Sequence, residues 1–189
     1  ETKIEDFFIG NATVIRGKWD SYYEDKPIRK LALKLKSIFK KADPNKGGYK
    51  LYQQNTAKLL GLKKYLRIDH TPVSIKKSTI EEYFKLNPKS LEHNLKYKFR
   101  HKTQFLIMSL SNHLEIKNNT FILENNFNLS YYQSYNYLKV IFKLFLYDKD
   151  KTKKFMCFQM LVLANKKSLS YILNWIDKKL DTNFSETMN

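Results

Sequence analysis

Residues 105–123 have the sequence FLIMSLSNHLEIKNNTFIL, and this stretch decides the predicted fold. Apolar residues recur at helical spacing from Phe105 to His113. Two short apolar runs, 114–116 and 120–123, then flank Lys117-Asn118-Asn119, and asparagine tolerates the left-handed backbone of a tight turn. We therefore predict a helix over 105–113 that is followed by a β-hairpin.

Two further helices are predicted immediately before this stretch. Ser78-Thr79-Ile80-Glu81 is typical of a capping box, in which the hydroxyl and the carboxylate each satisfy a backbone N–H group at a helix start. Asn87-Pro88 then ends this helix and begins the next one. Helix, helix and hairpin is the order of a winged helix, whose hairpin is the wing. We expect an α+β, mostly helical fold of tandem winged-helix (winged helix-turn-helix) units with short β-hairpins.

Most of the remaining chain also predicts helix. The other segments with helical spacing are 27–42, 54–62, 135–147, 155–163 and 168–180. The run 155–163 also fits a buried strand, but we favour the helix, and residues 49–52 fit a short strand. In the helix over 135–147, four apolar residues are expected to face inward: Leu138, Ile141, Phe142 and Phe145.

The predicted elements group into two units. Residues 1–25 are expected to be a lead-in that packs on the first unit, or a linker. Residues 26–126 form the first winged-helix unit, and 127–185 form a second, smaller winged-helix-like helical unit, followed by a tail over 186–189. Because the first residue is glutamate rather than methionine, we expect a longer protein or a removed tag.

The charge of the chain is concentrated in one stretch. The net charge is +17, but residues 26–104 alone carry 21 basic and five acidic groups, whereas 1–25 have an acidic excess. Codon bias towards lysine would spread the charge evenly, so the clustering favours a functional basic surface that attracts polyanions. The residues expected to contact nucleic acid or an acidic partner are Lys63, Lys64, Arg67, Lys76, Lys77, Lys96, Lys98, Arg100 and Lys102.

Aromatic residues alternate with the last four of these basic groups. Tyr97, Phe99 and His101 lie between them, and rings can stack on bases while cations neutralise phosphates. A solvated helix face over an aromatic core is an equally good interpretation. A second aromatic group, Tyr131, Tyr132 and Tyr135, fits a protein interface, although core packing is the more common role of such clusters.

Catalytic and metal-binding patterns are weak. Only five glycines are present, none of the four histidines has a histidine or cysteine at zinc-ligand spacing, and the single Cys157 excludes an internal disulfide. Glu115-Ile116-Lys117 is similar to the Glu-x-Lys strand of many metal-dependent nucleases, but we favour an edge strand with Glu115 and Lys117 on the solvated face of the hairpin. We expect no metal, no cofactor and no enzymatic activity. With no apolar run near 18 residues and no signal peptide, we expect neither secretion nor membrane spanning.

Three stretches together are similar to a known family. They are Ser37-Ile38-Phe39 through Tyr52-Gln53-Gln54 to Leu59-Leu60, then Phe105 to Leu123, and finally Phe155 to Leu180. In their order and aromatic placement, the chain resembles the C-terminal tandem winged-helix region of the Stn subunit of the CST (Ctc–Stn–Ten) telomere complex, including telomerase-associated forms.

This resemblance implies a non-catalytic subunit in the nucleus, at the telomeric region of the chromosome. It would dock the large CST subunit, polymerase α–primase or telomerase components, with auxiliary, weak DNA binding and no membrane or small-molecule partner. An OB-fold in front of it would supply the main single-strand contact. Two alternatives stay open: a winged-helix replication initiator or regulator that reads duplex DNA, and a small metal-dependent nuclease that uses Glu115 and Lys117.

Overall fold

The computed structural model describes residues 3–26 and 48–182. The fold is α+β, roughly half helical, with three small sheets. The described residues divide into two compact units: an N-terminal unit of residues 3–26, 48–69 and 73–127, and a C-terminal unit of residues 70–72 and 128–182. The helix that is predicted from Pro27 lies outside the described residues.

The N-terminal unit contains five strands and four helices among its described residues. Short 3₁₀ turns at Ile4–Asp6 and Tyr23–Asp25 accompany them. In chain order the elements are β1 Phe8–Ile9, β2 Ala12–Arg16, β3 Lys18–Asp20, α1 Tyr49–Leu59, β4 Tyr65–Arg67, α2 Lys77–Leu86, α3 Pro88–Leu95, α4 Ile107–Lys117 and β5 Phe121–Glu124.

Strand β2 is the centre of the N-terminal unit. It pairs antiparallel with β1 and parallel with β5, in a register that places Thr13 beside Phe121 and Arg16 beside Glu124. The next strand, β3, pairs antiparallel with β4. Gly17 joins β2 to β3, where a Cβ atom would lie 2.7 Å from Cγ of Leu66. The opening residues, which the sequence assigned to a lead-in, therefore supply three strands of this unit.

The hairpin predicted after residue 113 is wrong. Helix α4 continues to Lys117, and β5 pairs with β2 instead of folding back on residues 114–116. Asn119 does adopt the left-handed conformation, with φ of 56°, but there it ends a helix. The same asparagine signal serves hairpin turns and helix ends, and the burial of Leu114 and Glu115 selects the helix.

Several local predictions for the N-terminal unit are confirmed. Helices α2 and α3 are present, and Pro88 occupies the first turn of α3. Lys76, rather than a residue of the expected capping box, precedes α2. The strand predicted at 49–52 is wrong, because α1 begins at Tyr49. Here the first turn follows Gly48 directly, and Tyr52 is buried on the inner side of the helix.

A buried carboxylate ties four segments of the N-terminal unit together. The carboxylate of Glu115 on α4 accepts hydrogen bonds from the hydroxyls of Thr79 at 2.5 Å, Thr120 at 2.8 Å and Thr13 at 3.2 Å. Nζ of Lys76 lies 3.0 Å from the same carboxylate. Burial raises the pKa of Glu115, but these hydrogen bonds and the Lys76 charge outweigh burial, so the pKa lies below its ordinary value.

A buried histidine joins α4 to β4. The backbone N–H of Leu66 donates to Nε2 of His113 at 2.9 Å, while Nδ1 lies 2.7 Å from the carbonyl of Ser109. This pairing requires neutral imidazole with its proton on Nδ1. Gln53 of α1 likewise donates to and accepts from the backbone of Ile68, at 3.1 Å and 2.9 Å, and so continues the strand pairing beyond β4.

The C-terminal unit alternates strands and helices. Its elements are β6 Leu129–Tyr132, α5 Tyr137–Lys149, β7 Phe155–Phe158, a 3₁₀ turn Leu161–Leu163 and α6 Lys166–Leu180. Strands β6 and β7 pair in parallel, so α5 is a crossover connection. The helix predicted over 155–163 is wrong, because Phe155–Phe158 is a strand that completes this sheet and only a 3₁₀ turn follows it. Asn136 and Asn165 cap the two helices by accepting hydrogen bonds from the backbone.

The core of the C-terminal unit uses one side of α5. Val140 and Leu144 are fully buried and pack with Tyr132 and Ile172. The prediction that Leu138, Phe142 and Phe145 face inward is wrong, since all three are exposed. Apolar residues occupy both sides of this helix, so helical spacing alone could not distinguish the core side from the solvent side.

His113 makes the N-terminal unit sensitive to mild acid. Burial lowers the pKa of His113 to about 4, whereas an unfolded histidine titrates near 6.5. At a pH between these two values, the unfolded chain binds a proton at His113 and the folded chain does not. The free energy of unfolding therefore falls as the pH drops below 6.5, by up to about 1.4 kcal/mol per pH unit.

We expect urea unfolding at pH 7.5 and pH 5 to show this loss of unfolding free energy. His113→Gln is expected to be less stable at pH 7.5 but to lose much less between the two, and an unchanged loss in the variant would contradict the assignment.

Candidate nucleic-acid interface

The segment between α3 and α4, residues 96–106, is here called the basic loop. It forms neither helix nor strand. Its four cationic side chains, Lys96, Lys98, Arg100 and Lys102, are all exposed. Helix α3 ends at Leu95, and Phe99 is 77% exposed. Of the two interpretations of this run, the solvated face of a helix therefore does not apply.

Two asparagines hold the base of the basic loop. Asn55 of α1 donates from Nδ2 to the carbonyl of Lys102 at 2.7 Å and to the carbonyl of Gln104 at 2.8 Å. Asn94 of α3 accepts from Gln104 Nε2 at 2.7 Å and from the backbone N–H of Phe105 at 2.9 Å. The loop thus lacks regular structure but has fixed ends, which reduces the ordering entropy that a ligand must overcome.

The rings of the basic loop form a small stacking surface. Tyr97 and His101 lie parallel, with centroids 4.1 Å apart and planes 9° from each other. The hydroxyl of Thr103 is hydrogen-bonded to both, at 3.0 Å from the Tyr97 hydroxyl and 2.9 Å from Nδ1 of His101. The exposed Phe99 adds a third ring. Stacked and exposed rings of this kind accept unpaired nucleobases with little dependence on sequence.

The cations of the loop lie close to these rings. Nζ of Lys96 is 5.0 Å from the ring centroid of Tyr97, and Nζ of Lys98 is 5.6 Å from that of Phe99. A groove of about 330 Å³ adjoins the loop at Thr103 and Phe105 and reaches Lys58 and Lys89. Phosphate-binding charge and base-stacking surface are therefore combined within one segment.

A second basic surface surrounds the β3–β4 pair. Lys63 and Lys64 are exposed and border a shallow depression of about 440 Å³ together with Trp19. Arg67 is paired in register with Lys18, and both cations lie within 6 Å of the Phe127 ring. Sequence reasoning missed Trp19 and Lys18 because they lie in the acidic opening segment. Only the pairing of β3 with β4 brings them to the basic residues.

The remaining predicted cations have protein partners. Lys76 pairs with the buried Glu115 and donates to the carbonyl of Asn11, so its charge is used inside the unit. Lys77 is exposed and lies 3.5 Å from Glu81, one turn further along α2. We therefore exclude Lys76 from the interface, and Lys77 remains a prediction with a partly neutralised charge.

The tyrosine cluster is mostly core. Tyr132 and Tyr135 are buried, and the Tyr135 hydroxyl donates to the carbonyl of Gln159 at 2.6 Å. Only Tyr131 is partly exposed, and its hydroxyl donates to the side chain of Gln159. A protein interface at this place can therefore use Tyr131 but not the other two residues without unfolding the unit.

The nuclease-like tripeptide does not have the predicted geometry. On a strand Glu115 and Lys117 would share a face, but on α4 they are two positions apart and point in different directions, one buried and one exposed. The expectation of a solvated Glu115 is also wrong. Within residues 3–26 and 48–182, no three His, Cys, Asp or Glu residues are grouped so that they could hold a metal ion. None of the helices in these ranges is long and apolar enough to cross a membrane.

Comparison of the chain with protein-family models, with curated proteins and with solved structures gave no match in any of the three.

Proposed function

We propose that this chain is a non-catalytic subunit that binds single-stranded nucleic acid through the basic loop. The observation that carries the proposal is the exposed Phe99 in the same short loop as the stacked Tyr97 and His101, within a run of four exposed cations. Phe99 is 77% exposed, and Tyr97 and His101 are half-buried, so a ligand can reach all three rings. An unpaired strand presents bases and phosphates in alternation, so the rings can stack on its bases while the cations contact its phosphates.

The geometry favours single strands over duplex. In a winged helix, the helix before the wing enters the major groove. The helix at that place is α4, and its residues Ser109–Glu115 are buried in the N-terminal unit. A helix enclosed in this way cannot enter a groove. Bases in a duplex are also paired and stacked on each other, so the rings of the loop have nothing to contact there. Duplex reading by a winged helix therefore lacks the exposed recognition helix that it requires.

A telomere-maintenance complex of the CST type, at the chromosome end in the nucleus, is the more specific setting that we propose. Its support is the basic, ring-bearing surface, which suits a single-stranded end. The chain would dock partner proteins of such a complex and add an auxiliary DNA contact. The chain has no hairpin at 114–123 that could serve as the wing of a winged helix. A tandem winged-helix architecture is therefore supported only by the helices.

Reversing three charges of the basic loop is expected to weaken binding selectively. Replacing Lys96, Lys98 and Lys102 with glutamate should lower the affinity for a labelled single-stranded oligonucleotide at least about tenfold, because phosphate contacts become repulsive. The slope of log K against log salt should fall by roughly 0.7 for each lost contact. Fluorescence anisotropy over a salt series measures both quantities. Exposed substitutions usually shift the unfolding free energy by only about 0.5 kcal/mol, so the fold should persist.

The matched control is the charged loop between α5 and β7. Glutamate at Lys151, Lys153 and Lys154 makes the same change in net charge in the C-terminal unit. We expect this variant to bind almost as the unaltered chain does. Equal weakening by both triple reversals would show that the charge acts only as a diffuse field, and the loop would not be the binding site.

Removing the exposed ring tests the stacking part of the proposal. Phe99→Ala is expected to cost about 1–3 kcal/mol of binding free energy, the range measured for base–aromatic stacking. Phe99→Trp should retain binding because it keeps an aromatic face. Leu95→Ala is the control, since Leu95 is comparably exposed but has no ring. If both alanine variants bind alike in the same anisotropy assay, Phe99 does not stack on a base.

A further inference from the structure

Helix α5 of the C-terminal unit has an apolar stripe on its outer side. Leu138, Phe142, Phe145 and Leu146 follow the i, i+4, i+7, i+8 spacing of one helix face, and between 46% and 74% of each side chain is exposed. The opposite side of the helix is already occupied, because Val140 and Leu144 are buried in the core. Contiguous apolar residues on a solvent-facing helix mark an interaction surface.

Cations border this stripe. Lys139 and Lys143 lie along one edge, and Lys149 lies at its C-terminal end with Nζ 5.7 Å from the Phe145 ring centroid. The only acidic residue in the sequence of α5 is Asp148. Its carboxylate accepts from Trp175 Nε1 at 3.0 Å and from Lys179 at 2.7 Å. The stripe is therefore apolar along its centre, with cations along one edge and at its C-terminal end.

We propose that this outer face of α5 docks an amphipathic helix of a partner protein, with apolar residues at i, i+4 and i+7 and acidic residues beside them. A helix in an apolar groove is anchored at this spacing, and charge complementarity at the rim orients it. A second copy of the chain fits poorly, because a two-fold interface would place the lysines of one rim against those of the other. The proposal uses residues outside the basic loop and does not rest on the nucleic-acid function.

The test uses a labelled peptide of designed sequence, with leucine at i, i+4, i+7 and i+11 and glutamate beside the leucines. Anisotropy is expected to show saturable binding to the full chain. The double variant Phe142→Ser, Phe145→Ser should weaken it at least about tenfold, as loss of central anchors does. Both residues are exposed, so thermal unfolding should be nearly unchanged. Val162→Ser with Leu163→Ser, which are 87% and 68% exposed in the same unit, is the matched control and should bind normally.

One altered peptide and two protein variants distinguish peptide binding at α5 from binding at the basic loop. A peptide with lysine in place of glutamate should bind much more weakly, because it meets the cationic rim. Glutamate at Lys96, Lys98 and Lys102 should leave peptide binding intact while weakening oligonucleotide binding. The serine double variant of α5 should do the reverse, so failure of the nucleic-acid proposal and failure of this one are distinguishable.

Four results would overturn the assignment. The first is no anisotropy change at peptide concentrations up to about 1 mM, which corresponds to negligible affinity. The second is equal weakening by the α5 variant and its matched control. The third is binding to phosphatidylserine–phosphatidylcholine vesicles that depends on Phe142 and Phe145, which would assign the face to a lipid surface. The fourth is a dimer in sedimentation equilibrium that the serine variant dissolves, which would assign the face to a second copy.

Discussion

The buried carboxylate of Glu115 is the contact on which the N-terminal unit depends. It joins α4 to β2 through Thr13, to α2 through Thr79, and to the residues in front of β5 through Thr120. Lys76 supplies the counter-charge. Removing one partner of a buried ion pair typically costs about 3–5 kcal/mol, because the remaining charge stays buried without compensation. This one group therefore holds α4 against β2, against α2 and against the residue in front of β5.

The position of the basic loop is fixed by α1 and by α4, the helix that carries Glu115. The Thr56 hydroxyl of α1 accepts from the backbone N–H of Leu106 at 3.2 Å, directly before α4, and Asn55 holds the two carbonyls that precede it. The loop is thus fixed at its base by α1 and by a helix that Glu115 anchors. Its rings and cations stay in water, where a ligand can reach them. The polar groups around Glu115 thus have their partners inside the unit, whereas the cations of the basic loop are exposed to solvent and to a ligand.

Sequence reasoning identified what local signals determine and missed what distant pairing determines. Pro88 and the run 96–102 carried enough local information to predict a helix start and an exposed basic, aromatic segment. Asn118-Asn119 did not, because a helix end and a hairpin turn use the same backbone conformation. The choice between them depends on β2, more than 100 residues earlier in the chain. The sequence also could not predict that Lys76 forms an ion pair with Glu115, because no local pattern relates these two residues.

The most direct test of the account is photo-cross-linking of the chain to a single-stranded oligonucleotide that contains 5-iodouracil, followed by mass spectrometric identification of the linked residues. Iodouracil reacts with rings that lie against the base, so the readout reports stacking rather than the diffuse attraction of a positive chain. We expect cross-links to Tyr97, Phe99 or His101. Cross-links confined to Trp19, or to Tyr131 in the C-terminal unit, would contradict it.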